Sequence, residues 1–260
     1  MKLFYETQGS GPPLVLIAGF ASGAWIWFSQ VEELARNFQV ITFDPRGVSH
    51  SRFDPTEAPV VTIELIAEDI CHILDELGLA KANILGASFG GFVAQEFALN
   101  HADRLDKLIL ACTSYGGMNH VPPKPEVLMS FAATDSLNSS ERIRKYIQPA
   151  FNDEFRENNK ETVERVCRLR ERNIVPEPVY FQQLQAAMSF QKENEIVKIK
   201  AETLVITGID DQIVPMQNSV NLAKLIPNSK LEIVKGGSHL FFIEEARRFN
   251  EIVRKFVLGH

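Results

Sequence analysis

The stretch Ala82-Asn83-Ile84-Leu85-Gly86-Ala87-Ser88-Phe89-Gly90-Gly91-Phe92-Val93-Ala94-Gln95-Glu96-Phe97-Ala98 decides the fold. It runs from an apolar segment through a glycine-flanked serine into a segment of helical character, which reads as strand, sharp turn, helix. The spacing G-x-S-x-G has a steric cause. A turn tight enough to lift Ser88 off its strand strains the serine backbone. A side chain at 86 or 90 would then collide with the neighbouring strand and helix, and glycine avoids both collisions. The helix after the serine aims its positive end and free N–H groups at the same spot. The bare pattern arises by chance often enough to be weak; the strand before it and the helix after it make it a nucleophile elbow.

Similar apolar runs lie on either side. Leu3-Phe4-Tyr5, Leu14-Val15-Leu16-Ile17 and Val40-Ile41-Thr42-Phe43 precede the elbow. Leu108-Ile109-Leu110-Ala111, Leu204-Val205-Ile206-Thr207 and Leu231-Glu232-Ile233-Val234 follow it. Strands buried on both faces of a parallel sheet look this uniformly apolar. Helix patterns near 27–36, 62–77, 89–100, 217–226 and 244–257 separate them, with Ile66, Ile70, Ile73, Leu74 and Leu77 forming one apolar stripe. The class predicted is α/β, a mostly parallel central sheet with helices on both faces.

The alternation stops after Cys112. From about 116 to 195 the chain is polar, helical and punctuated by Pro122, Pro123, Pro125, Pro149, Pro176 and Pro178. That is too long for a plain loop. It predicts a helical cap, residues 116–195, inserted into a core domain made of 1–115 and 196–260.

Composition narrows the function. The chain of 260 residues is 45% hydrophobic, enough for a full core, and its charge of −6 is spread along its length. No Lys/Arg cluster suggests a nucleic-acid surface, and no apolar run is long enough to span a membrane. Cys71, Cys112 and Cys167 cannot all pair and show no CxxC spacing, so they read as buried hydrophobes in a reducing compartment, with cytoplasm the expected location. No metal-ligand spacing and no cofactor motif occur, so neither a metal nor a cofactor is expected.

A serine hydroxyl needs a base. Of six histidines, His72 and His101 fall in helix patterns, His260 is terminal, and His50 and His120 have no distinctive setting. His239, in Lys235-Gly236-Gly237-Ser238-His239, lies in the loop that leaves the last strand, in the chain order serine, acid, histidine. The acid should end an intervening strand. Cys112-Thr113-Ser114-Tyr115-Gly116 offers no carboxylate, whereas Gly208-Ile209-Asp210-Asp211 offers two.

The chain resembles the capped esterase, lactonase and perhydrolase-like branch of the α/β-hydrolase superfamily. The matching segments are Ile17-Ala18-Gly19-Phe20, Asp44-Pro45-Arg46-Gly47, Gly86–Gly91, Gly208–Asp211 with Val214-Pro215, and Gly237-Ser238-His239, along with Trp27 and Gln30. The resemblance implies Asp211, three residues after the glycine, as the acid, and a triad of Ser88, Asp211 and His239. It implies oxyanion donors in the backbone N–H groups of Phe20 and Phe89, and a small-molecule ester-type substrate. Two positions depart from the pattern: Ala18 stands where relatives usually carry histidine, and Ser49 where glycine is common. Trp25, Met129, Phe131, Tyr180, Phe181 and Met188 are candidates to line an apolar pocket between strand ends and cap.

Overall fold

The fold was analysed in a computed structural model that describes residues 2–54, 56, 58–132 and 138–259. Seven strands form one sheet: β1 (Phe4–Gln8), β2 (Pro13–Ile17), β3 (Gln39–Asp44), β4 (Ala82–Ala87), β5 (Leu105–Ala111), β6 (Glu202–Gly208) and β7 (Ser229–Val234). Their order is β1-β3-β2-β4-β5-β6-β7, and only β1 runs antiparallel to its neighbour. All seven apolar runs became strands. Burial on both faces selects such uniform sequences, and β2, β4 and β5 sit in the middle of the sheet where no edge is exposed.

The helices outside the insert are α1 (Val31–Leu34), α2 (Ile63–Glu76) and α3 (Phe89–Asn100) before it, and α9 (Gln217–Leu225), α10 (Phe241–Glu244) and α11 (Ala246–Leu258) after it. Ile66, Ile70, Val93, Phe97 and Leu222 of α2, α3 and α9 share one apolar cluster on one face of the sheet. Leu34, Phe241, Phe249 and Val253 of α1, α10 and α11 belong to the cluster on the other. Two predicted helices are broken. The 27–36 pattern divides into a 3-10 turn, Ala24–Trp27, and the short α1. The 244–257 pattern begins only at Ala246, because Glu245 takes a non-helical conformation between α10 and α11.

Between β5 and β6 lie α4 (Pro125–Ala132), α5 (Ser139–Ile147), α6 (Asp153–Asn158), α7 (Lys160–Arg172) and α8 (Glu177–Ser189). Side-chain oxygens of Asn138 and Asn152 accept N–H bonds at the starts of α5 and α6. The insert packs on both sides of the body. Ile147, Phe151 and Val166 join one core cluster, and Val175, Val179 and Phe190 join the other. Among the described residues, no helix is long and apolar enough to cross a membrane.

Candidate active site

Ser88 sits between the end of β4 and the start of α3 with φ 55° and ψ −118°, a conformation that costs a non-glycine residue on the order of 1–3 kcal/mol. The strain is held by its surroundings. Ser88 N–H donates to Ala111 O at 2.9 Å, while Ser88 O accepts from Gly91 N at 2.8 Å and from Thr113 Oγ1 at 2.8 Å. The flanking glycines are obligatory by contact. A Cβ on Gly86 would lie 2.1 Å from Gly90 O, and one on Gly90 would lie 2.3 Å from Ile17 O.

Asp211 follows β6 and is buried, whereas Asp210 beside it is exposed. Its Oδ1 accepts the N–H groups of Ile213 and Val214 at 2.9 and 2.8 Å, and its Oδ2 lies 2.8 Å from His239 Nδ1. Two backbone donors and an imidazole therefore hold one carboxylate in a fixed orientation. With Nδ1 engaged, Nε2 is the ring nitrogen left for proton exchange. The structure brings Asp211 and His239 together; no hydrogen bond joins His239 to the Ser88 hydroxyl, a contact that commonly tightens only when substrate is bound.

The loop bearing His239 is braced from outside. Gly208 lies so close to it that a Cβ there would meet Ser238 O at 2.3 Å. Ser238 N–H donates to Glu244 Oε2 at 2.6 Å, and the Ser238 hydroxyl donates to Ala150 O at 2.6 Å. Asn152 N–H donates to Glu244 Oε1, and Leu240 N–H to Ala150 O. Burial pushes the Glu244 carboxyl above its usual range, against these donors, which pull it down. Gln30 and Trp27 add a second brace: Gln30 Nε2 donates to Phe242 O at 2.5 Å and Trp27 packs on the Phe242 ring. Glu244 and Asn152 were not singled out from sequence. Two adjacent carboxylates, Glu244 and Glu245, close the apolar run Leu240-Phe241-Phe242-Ile243, and nothing in the sequence tells which of them turns inward.

The Gly19–Phe20 segment runs beside the serine, since a Cβ on Gly19 would sit 3.4 Å from Ser88 Cβ. Phe89 opens α3, where its N–H has no intrahelical acceptor. Aromatic rings form a chain across this region. Tyr180 meets Phe20 edge-on at 4.9 Å, Phe20 meets Phe89 at 6.2 Å, Phe89 meets Phe92 at 6.4 Å, and Phe92 stacks on Phe190 at 4.4 Å.

The candidate pocket residues are scattered. Tyr180 joins the ring chain, but Trp25 lies elsewhere. It lines a cavity of about 460 Å³ with Phe4, Asp44, His50 and Asn173, a lining that contains no member of the Ser88, Asp211, His239 set. Phe181 and Met188 are 55% and 79% exposed. The helical period explains them. Val179, Tyr180 and Gln183 of α8 face inward, and Phe181, Leu184 and Met188 fall on the opposite side. Met129 is 70% exposed on α4, and the Phe131 side chain lies outside the described residues.

At Ser49, which stands where glycine is common, φ is 49°, and the hydroxyl donates to Asn173 Oδ1 of the insert at 2.7 Å. Cys112, which follows β5, is buried beside Asp211 and His239. Its sulfur, an Asp211 oxygen and a His239 nitrogen lie within 4.8 Å of one another, a proximity invisible in sequence because three strand ends supply it. The donor set fits a metal poorly. Both Asp211 oxygens are already engaged, and burial, aided by the Asp211 charge, raises the Cys112 pKa well above the ordinary thiol value and keeps it protonated.

A seven-stranded, mostly parallel sheet with a strained serine at a strand–helix turn and a histidine–aspartate pair on later strand ends defines the α/β-hydrolase class. The sequence profile of the α/β hydrolase fold matches residues 12–246, and the chain belongs to that family. It is 31% identical to a Caulobacter sp. strain K31 protein provisionally named carbamate hydrolase RutD, over 99% of this chain and 96% of that one. It is 31% identical to a poly(3-hydroxyalkanoate) depolymerase of Ectopseudomonas oleovorans, over 94% and 84% of the two chains. A meta-cleavage product hydrolase of Pseudomonas fluorescens IP01 superimposes with a TM-score of 0.83 at 26% identity, covering 99% of this chain and 94% of that one.

Proposed function

We propose that this hydrolase cleaves a carboxylic ester of a small to medium apolar molecule through an acyl-enzyme on Ser88. The observation that carries the reading is the His239–Asp211 pair at 2.8 Å, in the loops that follow β7 and β6 of the sheet whose β4 ends in a serine held at φ 55°. His239 Nε2 takes the Ser88 proton as the oxygen attacks the carbonyl carbon. Asp211 holds the ring tautomer and stabilises the imidazolium. The N–H groups of Phe20 and Phe89 receive the negative charge on the carbonyl oxygen, each such donor contributing about 3 kcal/mol in the transition state. His239 returns the proton to the leaving alcohol, then activates a water that releases the acid. Residues 116–195 act as a cap over 1–115 and 196–260, and the rings of Phe20, Tyr180 and Phe89 present an apolar wall to the substrate. The depolymerase relative supports ester chemistry, because a poly(3-hydroxyalkanoate) is a polyester.

A second reading keeps the triad and changes the bond: a carbon–carbon bond hydrolase, favoured by the likeness to the meta-cleavage product hydrolase. The test is turnover of p-nitrophenyl esters from acetyl to decanoyl beside Ser88→Ala. A maximum at one chain length that vanishes in the variant supports the ester reading. A folded protein that turns over none of them overturns it and directs the search to carbon–carbon and carbamate substrates.

A further inference from the structure

The loop Ala18-Gly19-Phe20-Ala21-Ser22-Gly23 carries a single polar side chain, the Ser22 hydroxyl, yet it holds a conformation that L-residues rarely adopt, with Ala21 at φ 49°. A loop that must hold an N–H donor still cannot rely on so little of its own chemistry. The peptide unit joining Phe20 to Ala21 is gripped at both ends by the insert. Its carbonyl, Phe20 O, accepts Arg170 Nη2 of α7 at 2.5 Å, and the same nitrogen reaches Ser22 Oγ at 3.1 Å. Its N–H, on Ala21, donates to Gln183 Oε1 of α8 at 2.9 Å. Gln183 is 1% exposed, and the N–H it accepts fixes which end of its amide faces the loop. The neighbouring unit, Gly19 to Phe20, is tied by Ser22 N–H to Gly19 O at 3.2 Å, and among the described residues the Phe20 N–H donates to no backbone carbonyl of the loop.

Arg170 has no carboxylate partner among the described residues, and burial lowers its pKa from the guanidinium value. Removing a cation from water without an opposite charge is costly, and a surface arginine would avoid it. The contacts it makes here are to one backbone carbonyl and one hydroxyl of this loop. Both grips come from positions about 150 and 160 residues further along the chain.

We propose that Arg170 and Gln183 are positioning residues for the oxyanion loop. By fixing the Phe20–Ala21 peptide plane they set the backbone torsions on either side of it, and so aim the Phe20 N–H at the developing oxyanion. This rests on the assignment of Ser88 as nucleophile. It adds that the insert takes part in catalysis by shaping the oxyanion hole, besides covering the substrate.

The test uses the full-length protein and the p-nitrophenyl ester it turns over best. Gln183→Leu and Arg170→Met each lower kcat by roughly 10- to 100-fold with KM within about 2-fold of the parent, because the interaction is realised in the transition state. A boronic acid, which adds to Ser88 and mimics the tetrahedral oxyanion, loses affinity by the same factor as kcat. Gln183→Glu keeps an acceptor for the Ala21 N–H and restores most of kcat. Should Gln183→Leu fail to fold, Gln183→Asn and Arg170→Lys, which retain polar character, carry the same comparison. A KM rise at unchanged kcat, or unchanged kcat and unchanged boronate affinity in folded variants, overturns the proposal. If Ser88→Ala remains active, the nucleophile assignment itself has failed. Inactive Ser88→Ala with fully active Gln183→Leu and Arg170→Met sinks the positioning role alone.

Discussion

Two turns meet beside Ser88, and they are held in opposite ways. The elbow at 86–90 is shaped by its own residues: glycines at 86 and 90 leave no room for a Cβ against Gly90 O and Ile17 O, and α3 starts at once. The loop at 18–23 adopts a left-handed residue at Ala21 without a glycine there, and side chains from α7 and α8 grip it. The elbow's shape is written in its own glycines, although β2 sets the limit at Gly90 and Ala111 and Thr113 hold the serine. The 18–23 loop depends on the assembled tertiary structure, so the two should fail differently when altered.

The largest effect is expected at the elbow's own side chain. Ser88→Ala should lower kcat by about 10⁵-fold or more while leaving the melting temperature nearly unchanged, as removal of a nucleophile does when the triad acts as a unit. Asp211→Asn should cost about 10⁴-fold in kcat, because an amide in place of Oδ2 permits the wrong imidazole tautomer. Kinetics of the folded variants check both. A loss of less than 10-fold at Asp211 would break the assignment of the acid.

Stability measurements sharpen the contrast between the two turns. Gly86→Ala places a Cβ 2.1 Å from Gly90 O and should destabilise the fold by roughly 3 kcal/mol or more, several degrees in thermal melting. Ala21→Gly should shift stability by less than about 1 kcal/mol, since glycine accepts the left-handed torsion without strain but gains freedom in the unfolded chain. Equal losses at the two sites would remove the distinction.

The brace on the His239 loop adds a pH dependence. The Glu244 carboxyl has a folded pKa above its ordinary 4.5, so its protonated form is the one folding favours. Its contribution is fully present below about pH 4.5 and is lost as pH rises through the higher folded value. Relative to the parent, Glu244→Gln should therefore gain stability as pH increases across that window, in denaturant titrations at stepped pH. A difference that shrinks with rising pH would contradict the sign. The smallest effect concerns the thiols. Cys112 is pushed well above the usual thiol range and Cys71 to about 11, so a thiol reagent at pH 8 should label neither at an appreciable rate until the protein is unfolded.

All seven strands were legible because each is an apolar run buried in a sheet, α2 because its apolar stripe has helical period, and α3 because it follows the elbow at once. The histidine and aspartate were legible as loop residues after strands, and the structure sets them 2.8 Å apart. The pocket was not. Trp25 is close in sequence to the 18–23 loop yet lines a different cavity, and the face that α8 presents inward depends on how the helix sits on the body. Glu244, Arg170 and Gln183 were unreadable for the same reason: a polar residue on a helix gains its distant partners only when the helix is docked.

By itself, the sequence determined the sheet, the elbow and the identity of the residues at its strand ends, since these follow from hydrophobic period and from the glycine spacing that a sharp strand–helix turn requires. Only the tertiary structure decided which polar groups hold the 18–23 and 235–240 loops. Those loops lack enough local hydrogen-bonding partners of their own, and the missing ones come from the insert, some 85 to 160 residues away in the chain, brought near only by burial of its apolar faces.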